Sequence, residues 1–347
     1  MSVRASRRFV VLATIASMIL ALAPAAVAVP AYDFATPVFG LAARGRLLYV
    51  ADSGAGVVRL GSTAGRLVVE LPRVTDVAPL RRGRMWALTT GRRGSLFKIV
   101  DGTPRVVAGI ADFEREVNPD GGEIDSNPFD LAKLGRGRVL VADAAANALL
   151  IVDHGVVDWV ATLPDELVPT DNAKTLAGCP NPPPEFADVC ELPDEIEAQA
   201  VTTSVAVGPD GALYLSELKG FPAPLGVSKI WRIEPDARHV ECGTDPACTV
   251  VEDGFTSIVD INFDADGMLH VVEIDEASWL AVEFAPEAML GGTVNMCDLA
   301  TSTCTEEATG LTIPIAVAIT GSGRVFAAVS ALIPGEAAVI EIGAPAP

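Results

Sequence analysis

The amino-acid sequence predicts an all-β protein, a six-bladed β-propeller with four-stranded antiparallel blades, after a cleaved signal peptide. Three observations support this fold: one strand-turn-strand phrase recurs six times, further strand-like segments follow most copies, and turn residues are abundant. The 347 residues include 31 glycines and 25 prolines, which favours many turns over long helices. A β-sandwich also contains many short strands, but it does not require the same phrase six times.

Each copy of the phrase has a small or polar approach, a short alternating strand, a glycine turn and a second apolar strand. Asp210-Gly211 and Asp266-Gly267 are the clearest hairpin signals, because tight turns need positive φ angles that glycine adopts easily. The six copies begin at Pro37, Val74, Asn127, Thr203, Ser257 and Pro314. Their turn glycines are Gly45, Gly83, Gly137, Gly211, Gly267 and Gly323.

Further strands follow most copies, which completes four strands per blade. The predicted third strands begin at Ser95, Ala148, Lys229 and Ala338, and the predicted fourth strands at Arg105, Asp158 and Thr249. The last copy shows only three strands, and an unclosed ring would leave two blade edges unpaired. We therefore expect the segment 29–36 to supply the missing outer strand.

The N-terminus has the pattern of a secretory leader. Arg4, Arg7 and Arg8 precede an apolar run, and Ala26-Val27-Ala28 offers small residues for cleavage. A membrane anchor is the alternative, but the apolar run is short for a span. The sequence predicts a signal peptide over 1–28, a single propeller domain over 29–347, and a secreted or periplasmic location.

Two insertions interrupt the repeat. Residues 110–125 are acidic and contain glycine, and residues 164–201, between blades three and four, are rich in proline and acids. A segment as long as the second one is usually functional or disordered. We expect it to be ordered, as a cover over the ring.

The six cysteines all follow the leader, in three close pairs. An even count in an exported chain indicates disulfides, and local pairing is the simplest of the fifteen possible connectivities. Zinc is the alternative, but the spacings are not of the Cys-x2-Cys kind and only three histidines are present. The pairs are Cys179 and Cys190, Cys242 and Cys248, and Cys297 and Cys304.

The charge of the chain restricts its partners. The formal net charge is −20 and becomes more negative when the three arginines of the leader are removed. This charge argues against nucleic acid and against anionic membrane surfaces as partners. We expect a monomer without a membrane span in the mature chain, whose partner is an unidentified small molecule or protein.

Polar residues recur where first strands begin and second strands end, positions that surround the channel mouth of a propeller. Converging oxygens there suit Ca²⁺ or another divalent cation, and paired carboxylates suit general acid–base catalysis. Asp and Asn near turns also commonly bond their own backbone. The candidates are Asp76, Asn127, Asp130, Asp143, Thr203, Glu217, Asp260 and Glu273, with Asn127 and Asp260 as metal candidates.

No catalytic residue is assigned from the sequence. There is no Gly-x-Ser-x-Gly elbow and no dinucleotide-binding glycine loop. One connection, Leu218–Leu225, is apolar and carries prolines. We expect it to line a groove for an aromatic molecule or to pack on the insertion.

Several phrases resemble the ScyD/ScyE family of exported proteins, named for a cyanobacterial scytonemin gene cluster, and more widely NHL-repeat and SMP-30-like propellers. The matching phrases begin at Ser126, Val139, Thr202, Lys229 and Gly254, and the segment Glu217–Gly226 is the most specific. The resemblance implies an exported six-bladed propeller, linked through its gene cluster to the maturation of an aromatic pigment.

The SMP-30-like resemblance implies a different function, a lactonase whose divalent cation is held at the mouth by Glu, Asn and Asp. Asn127 and Asp260 lie at comparable points, but Phe39-Gly40 stands where the family has a Glu. Two functions therefore remain open: a binding or scaffold propeller, and a metal-dependent hydrolase or lactonase.

Overall fold

The structure is a computed structural model, and it describes residues 27–28, 32–61 and 64–343. Of the predicted signal peptide, only Val27 and Ala28 fall within this range; the rest of that prediction lies outside the described residues.

Six blades of four antiparallel strands form a β-propeller, as the repeat predicts, and the sheet of blade three gains a fifth strand, β19, which pairs parallel with β13. Blade one is β2–β5, blade two β6–β9, blade three β10–β13, blade four β16, β17, β18 and β20, blade five β21–β24, and blade six β25–β27 with β1. In chain order the strands are β1 (Val27–Ala28), β2 (Val38–Arg44), β3 (Leu47–Asp52), β4 (Gly56–Leu60), β5 (Gly65–Glu70), β6 (Val74–Pro79), β7 (Met85–Thr89), β8 (Ser95–Val100), β9 (Thr103–Gly109), β10 (Pro128–Gly135), β11 (Arg138–Asp143), β12 (Ala148–Asp153), β13 (Val156–Thr162), β14 (Glu166–Pro169), β15 (Glu195–Ala198), β16 (Thr202–Val207), β17 (Leu213–Glu217), β18 (Ser228–Ile233), β19 (Val240–Glu241), β20 (Cys248–Phe255), β21 (Ile258–Phe263), β22 (Leu269–Glu273), β23 (Gly292–Asp298), β24 (Thr303–Leu311), β25 (Ala316–Ile319), β26 (Val325–Val329) and β27 (Ala338–Ile342).

The hairpin between the first two strands of every blade turns on the predicted glycine. All six of these glycines have positive φ angles, between 61° at Gly45 and 88° at Gly267. A side chain is strained in this region of backbone space, which explains why glycine stands at each turn.

The ring closes through the N-terminal segment, but two residues earlier than the sequence predicts. Val27 and Ala28 pair antiparallel with Glu341 and Ile340 of β27, so β1 is the outer strand of blade six. The sequence places this strand within 29–36, whereas the described strand, Val27–Ala28, belongs to the predicted leader; in the described part of 29–36, residues 32–36 form no strand. Part of that segment instead leads into blade one, where the backbone N–H of Ala35 donates to Oδ2 of Asp52 at 2.7 Å.

The insertion 164–201 forms an ordered subdomain, which we call the cap. Strands β14 and β15 pair with each other and enclose the helix α2 (Asp171–Leu176) and a 3-10 helix (Pro184–Glu191). The other insertion contains the helix α1 (Ile110–Val117). Blade five adds the helix α3 (Trp279–Phe284) and a short 3-10 turn (Pro286–Ala288) in the connection between β22 and β23.

The three disulfides pair locally, as predicted. Cys179–Cys190 lies in the cap, Cys242–Cys248 joins β19 to the start of β20, and Cys297–Cys304 bridges β23 and β24. Among the described residues, no helix is long and apolar enough to cross a membrane.

Buried aliphatic side chains from neighbouring blades form the core. One cluster joins blades three and four through Leu140, Leu149, Leu213 and Leu215, and a smaller one joins the cap to blades four and five through Ala173, Ala223 and Leu280. The cap therefore has its own contacts with the ring.

The cap disulfide should stabilise the cap rather than the ring. In the double variant Cys179→Ser/Cys190→Ser, we expect limited proteolysis within 171–194 to accelerate while the ring unfolds at nearly the wild-type temperature. Closing a loop of this length is worth about 3 kcal/mol in the chain-entropy account. The matched control is Cys242→Ser/Cys248→Ser, whose buried cysteines belong to the ring core and should lower the ring's unfolding temperature. If both double variants lowered the unfolding temperature of the ring equally, the cap would not be a separately stabilised unit.

Candidate functional site

The connections with added chain all emerge on one face of the ring. Successive strands of a blade run in opposite directions. The connections between blades and the connections from second to third strands therefore lie on the same face of the propeller, which is the face where the inner strands begin. We call it the mouth face. It carries α1, the cap, the connection Leu218–Leu225 and α3.

The inner strands place one equivalent residue from each blade around the channel. In five blades the inner strand has a register shift after its first paired residue, as between Val74 and Asp76. The shift turns the following side chain toward the neighbouring blade. The equivalent residues, from blade one to blade six, are Gly40, Asp76, Asp130, Ser204, Asp260 and Ala316.

The polar members of this ring accept hydrogen bonds from the next blade. Asp76 Oδ2 accepts from the backbone N–H of Leu131 at 3.3 Å, and Asp130 Oδ2 accepts from that of Val205 at 2.7 Å. The same link recurs further round the ring, where Ser204 Oγ accepts from the N–H of Ile261 and Asp260 Oδ2 from that of Val317. Each side chain therefore satisfies a backbone group of the following inner strand.

Blade one has glycine at this position because the side chain of Asp76 fills the space. A Cβ added to Gly40 would lie 2.4 Å from Asp76 Oδ1 and 2.7 Å from the carbonyl oxygen of Thr75. The Glu found at this point in SMP-30-like lactonases therefore has no room here.

The three channel carboxyls hold more protons than isolated aspartates would. Burial raises the pKa of Asp76, Asp130 and Asp260, and the negative charge of Asp130 raises those of Asp76 and Asp260 further. Ser204 Oγ lies 2.7 Å from Asp130 and 2.8 Å from Asp260 but has one proton to donate. Ser204 can therefore donate to only one of these two carboxyls at a time.

A cavity of about 280 Å³ occupies the channel below these residues. Phe39 and Phe129 also line this cavity, and each directly precedes one of the six equivalent residues in the chain. Their aromatic rings meet edge to face, with centroids 5.7 Å apart. Lys133 lines the cavity beyond the carboxyls, and burial lowers its pKa.

Three further candidates, Asn127, Asp143 and Thr203, do not line the channel. Asn127 Oδ1 accepts from Thr90 Oγ1 at 2.5 Å, and its backbone N–H donates to Asp143 Oδ1 at 2.6 Å. Burial raises the pKa of Asp143 to about 6. Thr203 Oγ1 donates to the carbonyl oxygen of Ile258 at 2.7 Å, a bond from blade four to blade five.

Glu217 belongs to a buried ion cluster that fastens the cap to blade four. The Lys219 Nζ, with its side chain fully buried, lies 3.1 Å from Glu217 Oε1 and 2.7 Å from Glu166 Oε2 of β14. Lys229 donates to the same Glu166 at 2.5 Å. Burial acts to raise the pKa of Glu166, but hydrogen bonds from the two lysines outweigh it and lower that pKa.

Glu273, the last of the predicted candidates, is buried at the end of β22. It accepts from the backbone N–H of Thr256 and, at 2.7 Å, from Nδ2 of Asn295. Burial raises its pKa to about 7.

The structure does not bring together the two residues singled out for a metal. Asp260 lines the channel, whereas Asn127 does not, and both are engaged in separate hydrogen-bond networks. Within the described part of the chain, no three His, Cys, Asp or Glu side chains are grouped so as to hold a metal ion. The residues present at the channel therefore do not fit the cation site that the lactonase resemblance implies.

An apolar pocket of about 320 Å³ lies between the cap and blades four and five, and we call it the cap pocket. Aromatic side chains arrive from three separate segments: Phe186 from the cap, Phe221 from the connection Leu218–Leu225, and Trp279 and Phe284 from α3. One carboxyl, Glu283, lines it, and burial raises the pKa of that group.

Hydrogen bonds hold the walls of the cap pocket together. Trp279 Nε1 donates to the carbonyl oxygen of Lys219 at 2.9 Å, and Asn172 Nδ2 of α2 donates to Ala223 O at 2.7 Å and to Ser278 Oγ at 2.9 Å. The cap, the apolar connection and α3 are thus joined directly.

Of these residues, sequence reasoning found the connection that carries Phe221 but missed α3 and Phe186. The available signal was the run Trp279–Phe284, which places two aromatic residues inside a blade connection, where polar turn residues are expected. Its pairing with the cap depends on tertiary contacts that the local pattern does not contain.

Comparison with known proteins supports the fold and no more. No family model and no curated protein matches the chain. Solved structures do match. A gluconolactonase from Xanthomonas campestris has TM-score 0.56 at 13% identity over 90% of this chain and 88% of that one. The PQQ-bound aldose sugar dehydrogenase from Streptomyces coelicolor has TM-score 0.57 at 13% identity over 91% and 96%. A Bacteroides thetaiotaomicron protein of unknown function has TM-score 0.57 at 10% identity over 91% and 72%.

Removing the fully buried Lys219 should be far more damaging than removing the half-buried Lys229. Lys219→Met leaves Glu217 buried without a cation, while Glu166 keeps its bonds to Lys229, so we expect the free energy of unfolding to fall by on the order of 3–5 kcal/mol in urea titrations. Lys229→Met is the control, because Glu166 keeps its bond to Lys219, and it should cost about 1 kcal/mol or less. Equal losses in the two variants would contradict a role for Lys219 as the buried link.

Stability should fall as pH rises from about 4.5 to 7. Glu273 has its pKa raised from 4.5 to about 7, so the folded state binds more protons than the unfolded state over this range. Its contribution is fully present below the ordinary pKa and is lost as pH rises through the folded value. Glu273→Gln should flatten this slope in urea titrations at successive pH values.

The exposed Glu287→Gln variant is the control and should keep the wild-type slope. The measurement is restricted to the range from about pH 4.5 to 7. At lower pH the lowered pKa values of Glu166, Asp210 and Glu341 change the free energy of unfolding in the opposite direction. A slope of the opposite sign in the wild-type protein would contradict the placement of these buried acids.

Proposed function

We propose that the protein is an exported binding propeller that holds an apolar aromatic small molecule in the cap pocket. The observation that carries the proposal is the convergence of Phe186, Phe221, Trp279 and Phe284 on one cavity of about 320 Å³. Small-molecule sites typically have volumes of about 300–1,000 Å³, with mostly apolar walls and few polar groups.

The chemistry of the walls selects the class of ligand. Aromatic rings prefer offset-stacked or edge-to-face partners, which favours a planar aromatic molecule over a sugar. Glu283 is the single carboxyl in the lining, so it suits a ligand that presents an N–H, O–H or cationic group. Phe221 and Phe284 are 42% and 57% exposed, which keeps part of the aromatic wall accessible from solvent.

The attachment of the cap suits a preformed site. The ion cluster of Glu166, Lys219 and Glu217 and the bonds of Asn172 fix two walls relative to the ring. A rigid site loses less conformational entropy when it binds, which increases affinity.

The family resemblance supports the same ligand class. The ScyD/ScyE-like phrases extend through Glu217–Gly226, the segment that supplies Phe221. We therefore propose a secreted or periplasmic protein of ScyD/ScyE type that binds an aromatic secondary metabolite, and the three disulfides are in keeping with such a compartment.

The second candidate is a hydrolase or lactonase that uses the channel. The raised pKa values of Asp76 and Asp260 favour it, since a carboxyl that keeps its proton can act as a general acid. The gluconolactonase similarity in fold adds to it. We place it second because each channel carboxyl bonds the backbone of the next blade.

Binding of N-phenyl-1-naphthylamine, a neutral aromatic amine whose fluorescence rises in apolar surroundings, tests the proposal. We expect saturable binding of one molecule per chain, quenching of Trp279, and about tenfold weaker binding in Phe221→Ala, since tenfold corresponds to about 1.4 kcal/mol. Phe129→Ala, which alters the channel mouth, should bind like the wild type.

Two results would contradict this proposal. Non-saturable binding of the probe would show that the cap pocket is not a specific site. Loss of binding in Phe129→Ala but not in Phe221→Ala would show that the probe binds in the channel. Hydrolysis of gluconolactone by the wild-type protein, abolished in Asp260→Asn, would favour the second candidate.

A further inference from the structure

A second cavity shares no lining residue with the cap pocket, and its wall contains a buried carboxyl group. It has a volume of about 650 Å³ and is lined by α1 together with segments near Gly91 and Ser126. Glu114 of α1 faces this cavity with 1% of its surface exposed. Among the described residues, nothing donates a hydrogen bond to its Oε1 atom. A buried acceptor without a donor costs free energy, so the position calls for a partner.

The next turn of the chain adds a second buried acceptor. Asn118 follows Glu114 by four residues and is the C-cap of α1, and its backbone N–H donates to the carbonyl oxygen of Glu114. Its Nδ2 donates to the carbonyl oxygen of Gly122 at 3.0 Å, which fixes the orientation of the amide. Its Oδ1 is buried, and within the described chain it has no donor either.

The charges around these two oxygens are negative. Asp120, Asp125 and Asp143 all act on Glu114, and Asp125 lines the same cavity. Asp120 and Asp143 already accept hydrogen bonds, from Asn147 Nδ2 and from Ser126 Oγ respectively. On Asp125, the Oδ1 atom accepts from the N–H of Ser126.

Two arginines line this cavity, Arg92 and Arg115, and Arg115 is engaged with other groups. Arg115 pairs with Asp112 and donates to the carbonyl oxygen of Arg92 at 3.2 Å. Glu114 and Asn118 also stand at the C-terminal end of α1, where the helix dipole favours a positive charge. Two buried oxygens without donors, in a negative field at the C-terminal end of a helix, favour a bound cation.

We propose that Glu114 Oε1 and Asn118 Oδ1, with Asp125 beside them, bind a calcium ion. Carboxylate and amide oxygens are the ligands that Ca²⁺ prefers, and its six to eight coordination positions leave room for water. The set contains two carboxylates and one amide, so it differs from a cluster of three acidic or histidine ligands, and it is separate from the channel.

Calorimetric titration of the EDTA-treated mature protein with CaCl₂ tests this site, together with thermal unfolding at each Ca²⁺ concentration. We expect one ion per chain and an unfolding temperature that rises with Ca²⁺. Glu114→Gln keeps the shape of the side chain and should weaken binding at least tenfold. Asn118→Gly should also weaken it, because glycine accepts the left-handed φ of 47° but supplies no oxygen.

Glu116→Gln, an exposed acid two residues from Glu114 on the same helix, is the control and should bind Ca²⁺ like the wild type. Circular dichroism of each variant checks that it is folded. Absence of saturable binding to the wild-type protein at millimolar Ca²⁺, or equal affinity in the wild type and in Glu114→Gln, would overturn the proposal. Binding of the naphthylamine probe is measured separately, so failure of one proposal leaves the other standing.

Discussion

The hydrogen bond from a backbone N–H to a side chain of the preceding blade is the constraint on which this propeller depends. Asp76, Asp130, Ser204 and Asp260 stand at equivalent points of four inner strands, and each accepts from the inner strand that follows. Inner strands are the most crowded part of a propeller, and their backbone groups lie where water has little access. A short polar side chain at this point joins two blades with one bond.

This use of the carboxyls determines where ligand chemistry can occur. Side chains that satisfy buried N–H groups are not free to converge on a substrate, and Gly40 leaves no room for a further ligand. The mouth face instead presents added chain: the cap, the connection Leu218–Leu225 and α3. The aromatic residues of these segments are held together by the bond of Lys219 to Glu166 of the cap and by the bonds of Asn172 and Trp279. The ring thus acts as a support, and the variable connections supply the recognition surface.

Much of the fold follows from the sequence because propeller blades are local. Each hairpin lies within one short phrase, so the turn glycines and the alternating strands identify it, and the three short-range disulfides follow from spacing alone. Ring closure is less local. The described outer strand of blade six is Val27–Ala28, too short a segment to show a strand pattern, and the sequence predicts the strand within 29–36 instead.

The site was harder to predict for the same reason. Carboxylates near strand ends were visible, but a pattern does not show whether an oxygen faces a channel or the N–H of the next blade. The partners of Lys219 and Trp279 lie 53 and 60 residues away in the chain. Such pairs depend on how blades and cap pack, which composition and periodicity do not record.

Hydrogen exchange of the Asp260→Ala variant, read by mass spectrometry and combined with probe binding, tests the central claim most directly. Removing the carboxyl leaves the N–H of Val317 without its acceptor, a loss of about 1–3 kcal/mol. The account predicts faster exchange in Ala316–Ile319 and unchanged binding of the aromatic probe. Unchanged protection of that strand together with loss of binding would show that Asp260 serves the ligand and not the ring.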